Sequence, residues 1–448
     1  MATLASWIWN PLLSLIYLEL GILFLLLTGA VAWKRSFGVF WGIWRQKKED
    51  GFNQERDIPH TQALFTAIAA AVGVGNLAGV GTAIHLGGPG ALFWMWISAV
   101  LGVSFRMCST YLSIKFGPKD PESLLFATPM SYLERFLPPA WRFVATALAT
   151  LLLIKGLLTA NLIQVNSVAH AMTTTFDIPA WMVAVVMAGT VGGVVLGGLK
   201  RIVIISTALA PWMVMGYMLL GGMVLLADPL RTLDALGAVF KYAFTPYSLG
   251  GGVAGYAVLT AMQFGISRGV FSHNSGMGVA PFLQGANTDH PSRGAFMAAL
   301  VPMVDTLLVC TITGLVVISV GDWLDLTGAQ LTVSAFQETL GLFGKVAVSM
   351  ALVIFAFTTI IGWSYYSERC FEYLGGRNLL AFRWFFTAVT FVGPFFPVAL
   401  VWSSGDILIG LIVILHMASM TYIVLQHLPT LRKDLQVTSR DLKLKTLE

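Results

Sequence analysis

The chain has 448 residues, of which 56% are hydrophobic and only 11% are charged. Soluble globular proteins carry roughly 25% charged residues, so this composition excludes an ordinary soluble enzyme. The three cysteines, Cys108, Cys310 and Cys370, lie within or at the ends of apolar stretches and do not form a disulfide framework. A net charge of +5 is compatible with nucleic-acid binding, anionic lipid or an asymmetric membrane topology.

Eleven apolar stretches are each long enough to cross a membrane as a helix, which takes about 20 residues. They lie near residues 11–33, 61–86, 89–112, 140–171, 178–197, 202–227, 250–279, 295–320, 344–367, 380–402 and 406–427. We expect no cleavable signal peptide, because residues 1–10 contain no Lys or Arg and the first stretch is long enough to span. The sequence therefore predicts an all-α integral membrane protein with about 11 transmembrane helices.

The positions of the Lys and Arg residues predict the topology. Of these 27 residues, 21 lie in loops after odd-numbered segments or in the C-terminal tail, three lie on the opposite side and three lie inside segments. Cytoplasmic loops are enriched in Lys and Arg, so the N-terminus is predicted outside and the C-terminus in the cytoplasm, with the protein in the cell (inner) membrane. Because the basic residues are spread over six cytoplasmic regions, a nucleic-acid partner is excluded.

Two loops on the outer side are long enough for short surface helices. They comprise residues 228–249 and 321–343. Such helices either cap an outer vestibule or only cover hydrophobic ends at the membrane interface.

Segments two and seven are interrupted by glycines and polar residues. Segment two contains AAAVGVGNLAGVGTAI at 69–84, and segment seven contains GISRGVFSHNSGMGVAP at 265–281. Backbone polar groups at membrane depth must be buried in protein or line a wet cavity. Since the two segments are five apart, they occupy corresponding places in two oppositely oriented halves. This pattern indicates an inverted-repeat secondary transporter with its binding site at the breaks. A zwitterionic amino acid and a cation fit the N–H groups and carbonyls of such breaks.

The two halves set the predicted domain boundaries. These are an N-terminal helix with a basic cytoplasmic loop at 1–57, a first five-helix repeat at 58–227, an outer loop at 228–249, a second inverted repeat at 250–427 and a cytoplasmic tail at 428–448.

Several long motifs resemble one family of transporters. GVGNLAGVGTAIHLGGPGALFWMW from residue 73, RGVFSHNSGMGVAP from residue 268 and FAFTTIIGWSYYSERC at 355–370 resemble the alanine/glycine:cation symporter family, the sodium:alanine symporters. The resemblance covers about residues 60–425. It implies a leucine-transporter-like core of five plus five inverted helices with one extra N-terminal helix. It also implies symport of a small neutral amino acid, chiefly alanine or glycine, with sodium as the co-transported ion and no organic cofactor.

The resemblance implies substrate contacts at both breaks and on segments four and nine. The residues are Gly73, Val74, Gly75, Asn76, Gln164, Phe271, Ser272, His273, Asn274, Gly276 and Trp363. It further implies a sodium site of hydroxyl and carbonyl oxygens, formed by Ala69, Val72, Phe355, Thr358 and Thr359. The alternative for Gln164 is a polar contact between helices, worth roughly 0.6 kcal/mol per hydrogen bond. The alternative for the threonine pair is hydrogen bonding to its own helix.

Charged residues inside the segments have two interpretations each. Arg268 matches the family and is predicted to anchor a cytoplasmic gate, with contact to the substrate as the alternative, while Asp305 is a candidate for coupling or a structural partner of Arg268 or Arg106. Lys155 precedes Gln164 by nine residues, about 900° of helical rotation. It is therefore expected to point away from Gln164 and to snorkel to the cytoplasmic face, with a cation surrogate or proton relay as the alternative.

Some positions depart from the family pattern. The family usually reads GTGN where this chain has GVGN at 73–76, and FSNEAGMGSAP where it has FSHNSGMGVAP at 271–281. His273 can carry a proton, whereas the family's acidic residue is Asn274 here. A proton-coupled or sodium-independent amino-acid transporter with altered substrate is thus the alternative function.

Two further classes of protein are less consistent with the sequence. An ion channel would need a continuous polar pore, and an enzyme would need a nucleophile and a base in a plausible arrangement. No HExxH, Walker or Cys-pair motif is present, so neither a catalytic metal nor nucleotide hydrolysis is supported. The expected partners are a small neutral amino acid and membrane lipid.

The charge asymmetry yields a test of topology. Single cysteines introduced at residues 430–448, in a background with the three native cysteines replaced by alanine, should react with a membrane-impermeant maleimide only after the cells are permeabilised. Ala2→Cys should react in intact cells and serves as the control. Labelling of the tail in intact cells would contradict the topology.

Overall fold

The computed structural model describes residues 7–28, 35–41, 58–245, 254–286, 291–320 and 322–436. Parts of the predicted N-terminal region, outer loop, second repeat and tail lie outside the described residues, namely 1–6, 29–34, 42–57, 246–253, 287–290, 321 and 437–448. Within the described ranges the regular structure is helical, without strands. Each of the eleven predicted segments overlaps one helix or an interrupted pair of helices.

The helices of the first half and the extra N-terminal helix are α1 (Pro11–Thr28), α2 (His60–Ala71), α3 (Ala78–Gly87), α4 (Gly90–Phe116), α5 (Met130–Phe136), α6 (Phe143–Leu157), α7 (Ile163–Phe176), α8 (Ala180–Val195) and α9 (Gly198–Ala227). The later helices are α10 (Pro229–Phe244), α11 (Ala254–His273), α12 (Pro281–Gln284), α13 (Pro291–Pro302), α14 (Thr311–Val320), α15 (Gly328–Tyr373), α16 (Leu379–Val392), α17 (Val398–Gln426) and α18 (Leu428–Gln436). Among the described residues, seven helical stretches are long and apolar enough to cross a membrane, and α2 with α3, bent by 60°, makes an eighth if the pair is counted as one span.

The break in segment two separates α2 from α3. After Ala71 the backbone becomes extended at Val72, and a single 3₁₀ turn at Val74–Asn76 precedes α3. Glycine is required at position 73, because a Cβ there would lie 2.4 Å from Thr359 Oγ1 and 2.8 Å from Gln164 Oε1.

The break in segment seven follows α11. Asn274, Gly276 and Gly278 have φ angles of 54°, 84° and 79°. This left-handed region is open to glycine and, among other residues, most readily to asparagine or aspartate. The alternating pattern of Asn and Gly in NSGMG is therefore what stops the helix at His273.

Two π-helical stretches interrupt segments four and eight. One comprises Leu158–Leu162 between α6 and α7, and the other comprises Met303–Cys310 between α13 and α14. Such stretches insert extra residues into a turn and rotate everything that follows. Neither was expected from the apolar pattern.

Helices are present in both of the loops that the charge pattern assigns to the outer side. Helix α10 is capped by Asp228 and packs on α4, where Trp94 Nε1 donates to Ala243 O at 3.2 Å. The start of α15, up to a kink at Gly341, lies over the first break, where Thr332 Oγ1 donates to Leu77 O at 3.0 Å. The second helix is therefore positioned to cover the break.

The first and last described helices mark opposite ends of the bundle. Near the N-terminus, Trp9 Nε1 donates to Asp406 O at 2.8 Å, close to the start of α17. Near the C-terminus, Asp434 on α18 accepts from Tyr111 and Lys115 at the end of α4, each at 2.8 Å. These contacts define an N-terminal end and a C-terminal end of the helix bundle.

Close packing of α4 on α11 depends on small residues and yields a stability prediction. A Cβ at Gly265 would lie 2.4 Å from Ala91 O and 2.6 Å from Trp94 Cβ. Gly265→Ala should therefore destabilise the protein by about 1–3 kcal/mol through overpacking, measured as a lower midpoint of thermal unfolding in detergent. Gly216→Ala on α9 is the control, since nothing lies within 4 Å of its added methyl group. Equal midpoints for the two variants would contradict this packing.

Candidate functional site

A cavity lies between the two breaks, bounded by α6, the following π-helical stretch, α7 and α15. Its lining consists of Ala70, Ala71, Gly73, Gly75, Lys155, Thr159, Ala160, Gln164, Phe271, Ser272, Asn274, Thr359 and Trp363. Polar and apolar side chains share this lining, and Asp and Glu are not among the residues in it. The free space between these side chains is about 10 Å³, which is room for about one water molecule in this conformation, and a group placed there would touch both breaks at once.

Gln164 holds the unwound part of the first break. Its Oε1 accepts from Val74 N at 2.9 Å, and its Nε2 donates to Thr159 O at 3.1 Å. Asn76 Oδ1 accepts from Gly73 N at 2.8 Å. Two backbone N–H groups that left the helical pattern are thereby satisfied by side-chain amides.

Asp305, in the π-helical stretch after α13, connects the two breaks. Its carboxylate accepts from Asn76 Nδ2 at 2.8 Å on the first break and from Ser272 Oγ at 2.7 Å on the second. Thr306 Oγ1 also donates to it at 2.7 Å. The expectation that Asp305 pairs with Arg268 or Arg106 is wrong: within the described residues, no cation lies within 4 Å of its carboxylate.

Arg106 instead supports the second break through uncharged acceptors. Its guanidinium donates to His273 O at 3.1 Å, Ala298 O at 3.2 Å and Gln284 Oε1 at 3.1 Å. The arginine thus satisfies a carbonyl at the end of α11.

Oxygen atoms suited to a small cation gather where α2 ends. Thr359 Oγ1 lies 3.1 Å from Val72 O and 3.5 Å from Ala69 O, while Thr358 Oγ1 lies 3.1 Å from Phe355 O on its own helix. Carbonyl and hydroxyl oxygens can replace the hydration shell of an alkali cation. The structure therefore brings Thr359 to the two carbonyls expected from the sequence, whereas the Thr358 hydroxyl bonds within α15 and lies 3.5 Å from Met213 Sδ.

Lys155 points into the cavity, so the expectation that it snorkels away is wrong. Its Nζ lies 3.0 Å from Asn274 Oδ1 and 3.7 Å from the ring centroid of Trp363. The reason is the π-helical stretch Leu158–Leu162 between Lys155 and Gln164. One extra residue in a turn removes about 100° from the expected rotation, so the two side chains converge.

Arg268 forms an ion pair beside the cavity. Its guanidinium binds both carboxylate oxygens of Asp406, at 2.6 and 2.8 Å, and both side chains are largely buried. Phe271 stacks on Trp402, with ring centroids 5.1 Å apart, and Arg268 lies over the same indole. Because Asp406 also contacts Trp9, the pair lies at the N-terminal end of the bundle. A cytoplasmic gate at Arg268 does not fit this position, since the predicted topology puts the N-terminus outside.

The remaining predicted substrate contacts lie behind the cavity. Four of the eleven residues, Val74, Asn76, His273 and Gly276, are absent from the lining. His273 is buried, with Nε2 3.2 Å from Ser98 Oγ and Nδ1 accepting from Ser275 N at 3.1 Å. Both ring nitrogens of this histidine are therefore occupied within the protein.

Five lining residues were not among the predicted contacts: Ala70, Ala71, Lys155, Thr159 and Ala160. The two alanines adjoin the GVGN motif, which is the signal that would have found them. The other three lie in or near the π-helical stretch, where an α-helical periodicity assigns the wrong face.

The paired breaks, the cavity between them and the repeat of five helices define a leucine-transporter-like secondary transporter, as expected from the sequence. The fold is similar to that of MhsT, solved in complex with L-phenylalanine, with a TM-score of 0.62 at 12% identity, covering 84% of this chain and 92% of that one. The chain belongs to the sodium:alanine symporter family, whose sequence model matches residues 1–443. It is a multi-pass membrane transporter and not an enzyme.

Individual relatives match along nearly the whole chain. The protein named sodium/alanine symporter AgcS of Methanococcus maripaludis is 36% identical, covering 91% of this chain and 90% of that protein. An uncharacterised transporter of Haemophilus influenzae is 35% identical, covering 92% and 90%. The family resemblance of the motifs is thereby confirmed.

The position of Gln164 generates a binding prediction. Gln164→Ala should weaken substrate binding at least tenfold, about 1.4 kcal/mol, because the first break loses its side-chain support at the cavity. Asn161→Ala is the matched control, since Asn161 lies on the same segment but donates to Phe386 O, away from the cavity. Calorimetric titration of both folded variants with alanine would measure the effect. An unchanged dissociation constant for Gln164→Ala would show that Gln164 only forms a polar contact between helices.

Proposed function

We propose that this protein carries a small neutral amino acid, such as alanine or glycine, into the cell together with sodium. The observation that carries the proposal is the cavity between the two breaks in a chain of the sodium:alanine symporter family. The relative named sodium/alanine symporter supports the same substrate and ion. Both sodium and the amino acid are therefore transported substrates.

The ion is proposed to bind where α2 ends. Its ligands would be the carbonyls of Ala69, Val72 and Phe355 and the hydroxyls of Thr358 and Thr359. The C-terminal end of a helix carries a partial negative charge, which favours a cation at this place. Thr359 also lines the cavity, so an ion held by it would lie next to the amino acid and couple the two binding events.

The amino acid is proposed to bind on the cavity lining. Gln164, Ser272 and Asn274 offer donors and acceptors to its carboxylate and ammonium groups. Phe271 and Trp363 would pack on its side chain. The backbone of Gly73 and Gly75 would lie next to it, because both residues lack a Cβ that would fill this space.

Access to the site is proposed to alternate in the cell membrane, with the N-terminus outside. The ion pair of Arg268 and Asp406 and the stack of Phe271 on Trp402 would then close the outer side. Opening requires both contacts to separate. The two halves would rock against each other around the fixed site.

Sodium coupling is tested by removing the hydroxyls. Thr358→Val with Thr359→Val should abolish sodium-stimulated uptake of labelled alanine into proteoliposomes, since two of the five proposed ligands are lost. Thr390→Val is the control, because its hydroxyl bonds within α16.

His273→Gln should leave the sodium dependence intact, because His273 lies outside the cavity lining. Uptake that ignores sodium, follows a pH gradient and disappears in His273→Gln would instead establish proton coupling.

A further inference from the structure

Lys155 is a buried cation in the substrate cavity that the proposed function does not use. The residue is 3% exposed, and its side chain contacts the Asn274 amide oxygen and the face of Trp363. Within the described residues, no Asp or Glu lies within 4 Å of its ammonium group. A buried charge without a counter-charge is costly, so this position favours the arrival of an anionic group.

The contacts of Lys155 also separate it from the proposed sodium site. Its ammonium donates to Asn274 on the second break, whereas the carbonyls of Ala69 and Val72 lie within hydrogen-bonding distance of Thr359. Lys155 therefore adds to the charge of a bound sodium ion and does not replace it in these contacts.

The other buried charges around the breaks do not offset Lys155. Arg268 is neutralised by Asp406. Arg106 donates to two carbonyls and an amide, without a carboxylate among those acceptors, while Asp305 accepts from an amide and two hydroxyls. The two cations Lys155 and Arg106 thus face one carboxylate. Sodium adds a further positive charge, and a zwitterion such as alanine adds none.

We propose that the same cavity also takes small acidic amino acids and binds them more tightly than alanine, with the second carboxylate forming an ion pair with the Lys155 ammonium. Asn274 and Trp363 hold the ammonium in place, so the carboxylate meets a fixed donor. The location of the substrate rests on the proposed function, whereas the preference for an acidic substrate is a separate claim.

The experiment compares two ligands of different charge on the purified full-length protein. Calorimetric titration with L-aspartate and L-alanine, in sodium chloride and again in choline chloride, gives the ratio of their dissociation constants. Aspartate should bind at least ten times more tightly than alanine. This preference should fall at least tenfold in Lys155→Met, which keeps the length of the side chain without its charge.

Two further variants make the test independent of folding at position 155. Asn274→Asp places a carboxylate 3.0 Å from the ammonium and should also remove the preference, since Lys155 gains an internal partner. Lys345→Met is the matched control, because Lys345 lies over the ring of Phe176, outside the cavity, and the ratio should not change.

The outcomes distinguish the inference from the proposed function. Equal affinities in the unmodified protein, or a preference that survives both cavity variants, would overturn the role of Lys155. If alanine binds in a sodium-dependent manner and aspartate does not bind, the role of Lys155 is also overturned, but the proposed function stands. Dissociation constants for both ligands that are the same in sodium and in choline, with aspartate still preferred, would support the role of Lys155 and refute sodium coupling.

Discussion

The need to satisfy interrupted backbone at membrane depth governs the structure. An unpaired N–H or C=O group in hydrocarbon costs several kcal/mol, so each break requires dedicated partners. Gln164 and Asn76 supply them at the first break, and Arg106 supplies one at the second. Asp305 then joins the breaks through Asn76 and Ser272. A single carboxylate in a π-helical stretch thus fixes the spacing of the two halves of the site.

Helix α15 contacts the end of α2 through two side chains that lie one helical turn apart. Thr359 Oγ1 reaches Val72 O, and Trp363 Nε1 donates to Ala70 O at 3.2 Å. The second break has its own attachment, because Arg268 on α11 binds Asp406 on α17. Each broken segment is therefore tied to a different helix of the second repeat. Relative movement of the two breaks has to strain or release one of these attachments.

Much of the fold follows from the sequence because the membrane imposes simple rules. Length and apolarity locate the segments, and the glycines with Asn76 and the polar run 272–275 locate the breaks. What could not be predicted depends on helix register. A π-helical stretch leaves the apolar pattern almost unchanged but turns Lys155 by about a quarter of a revolution.

The pairing of buried charged side chains is the other feature that could not be predicted from the sequence. Asp305 was one candidate partner of Arg268 in the sequence, but the packing of α17 against α11 brings Asp406 to Arg268 instead. A cationic partner was one of two alternatives for Asp305, yet three neutral donors satisfy its carboxylate. Long-range pairing of buried charges depends on the three-dimensional arrangement and has no periodic signal.

In the second break, the residues that determine the backbone conformation differ from those that depart from the family pattern. Its turn depends on positive φ angles at Gly276 and Gly278, where a Cβ would lie 3.0 Å from Met417 Sδ and 2.9 Å from His416. The departures from the family pattern in this stretch fall on other positions, including His273, Asn274 and Val279, while both glycines remain. Of these positions Asn274 lines the cavity, so a substitution there changes the side chain next to a ligand and leaves both glycines in place. The two glycines fix the backbone of the turn, and the residue at position 274 sets the polar group that faces Lys155.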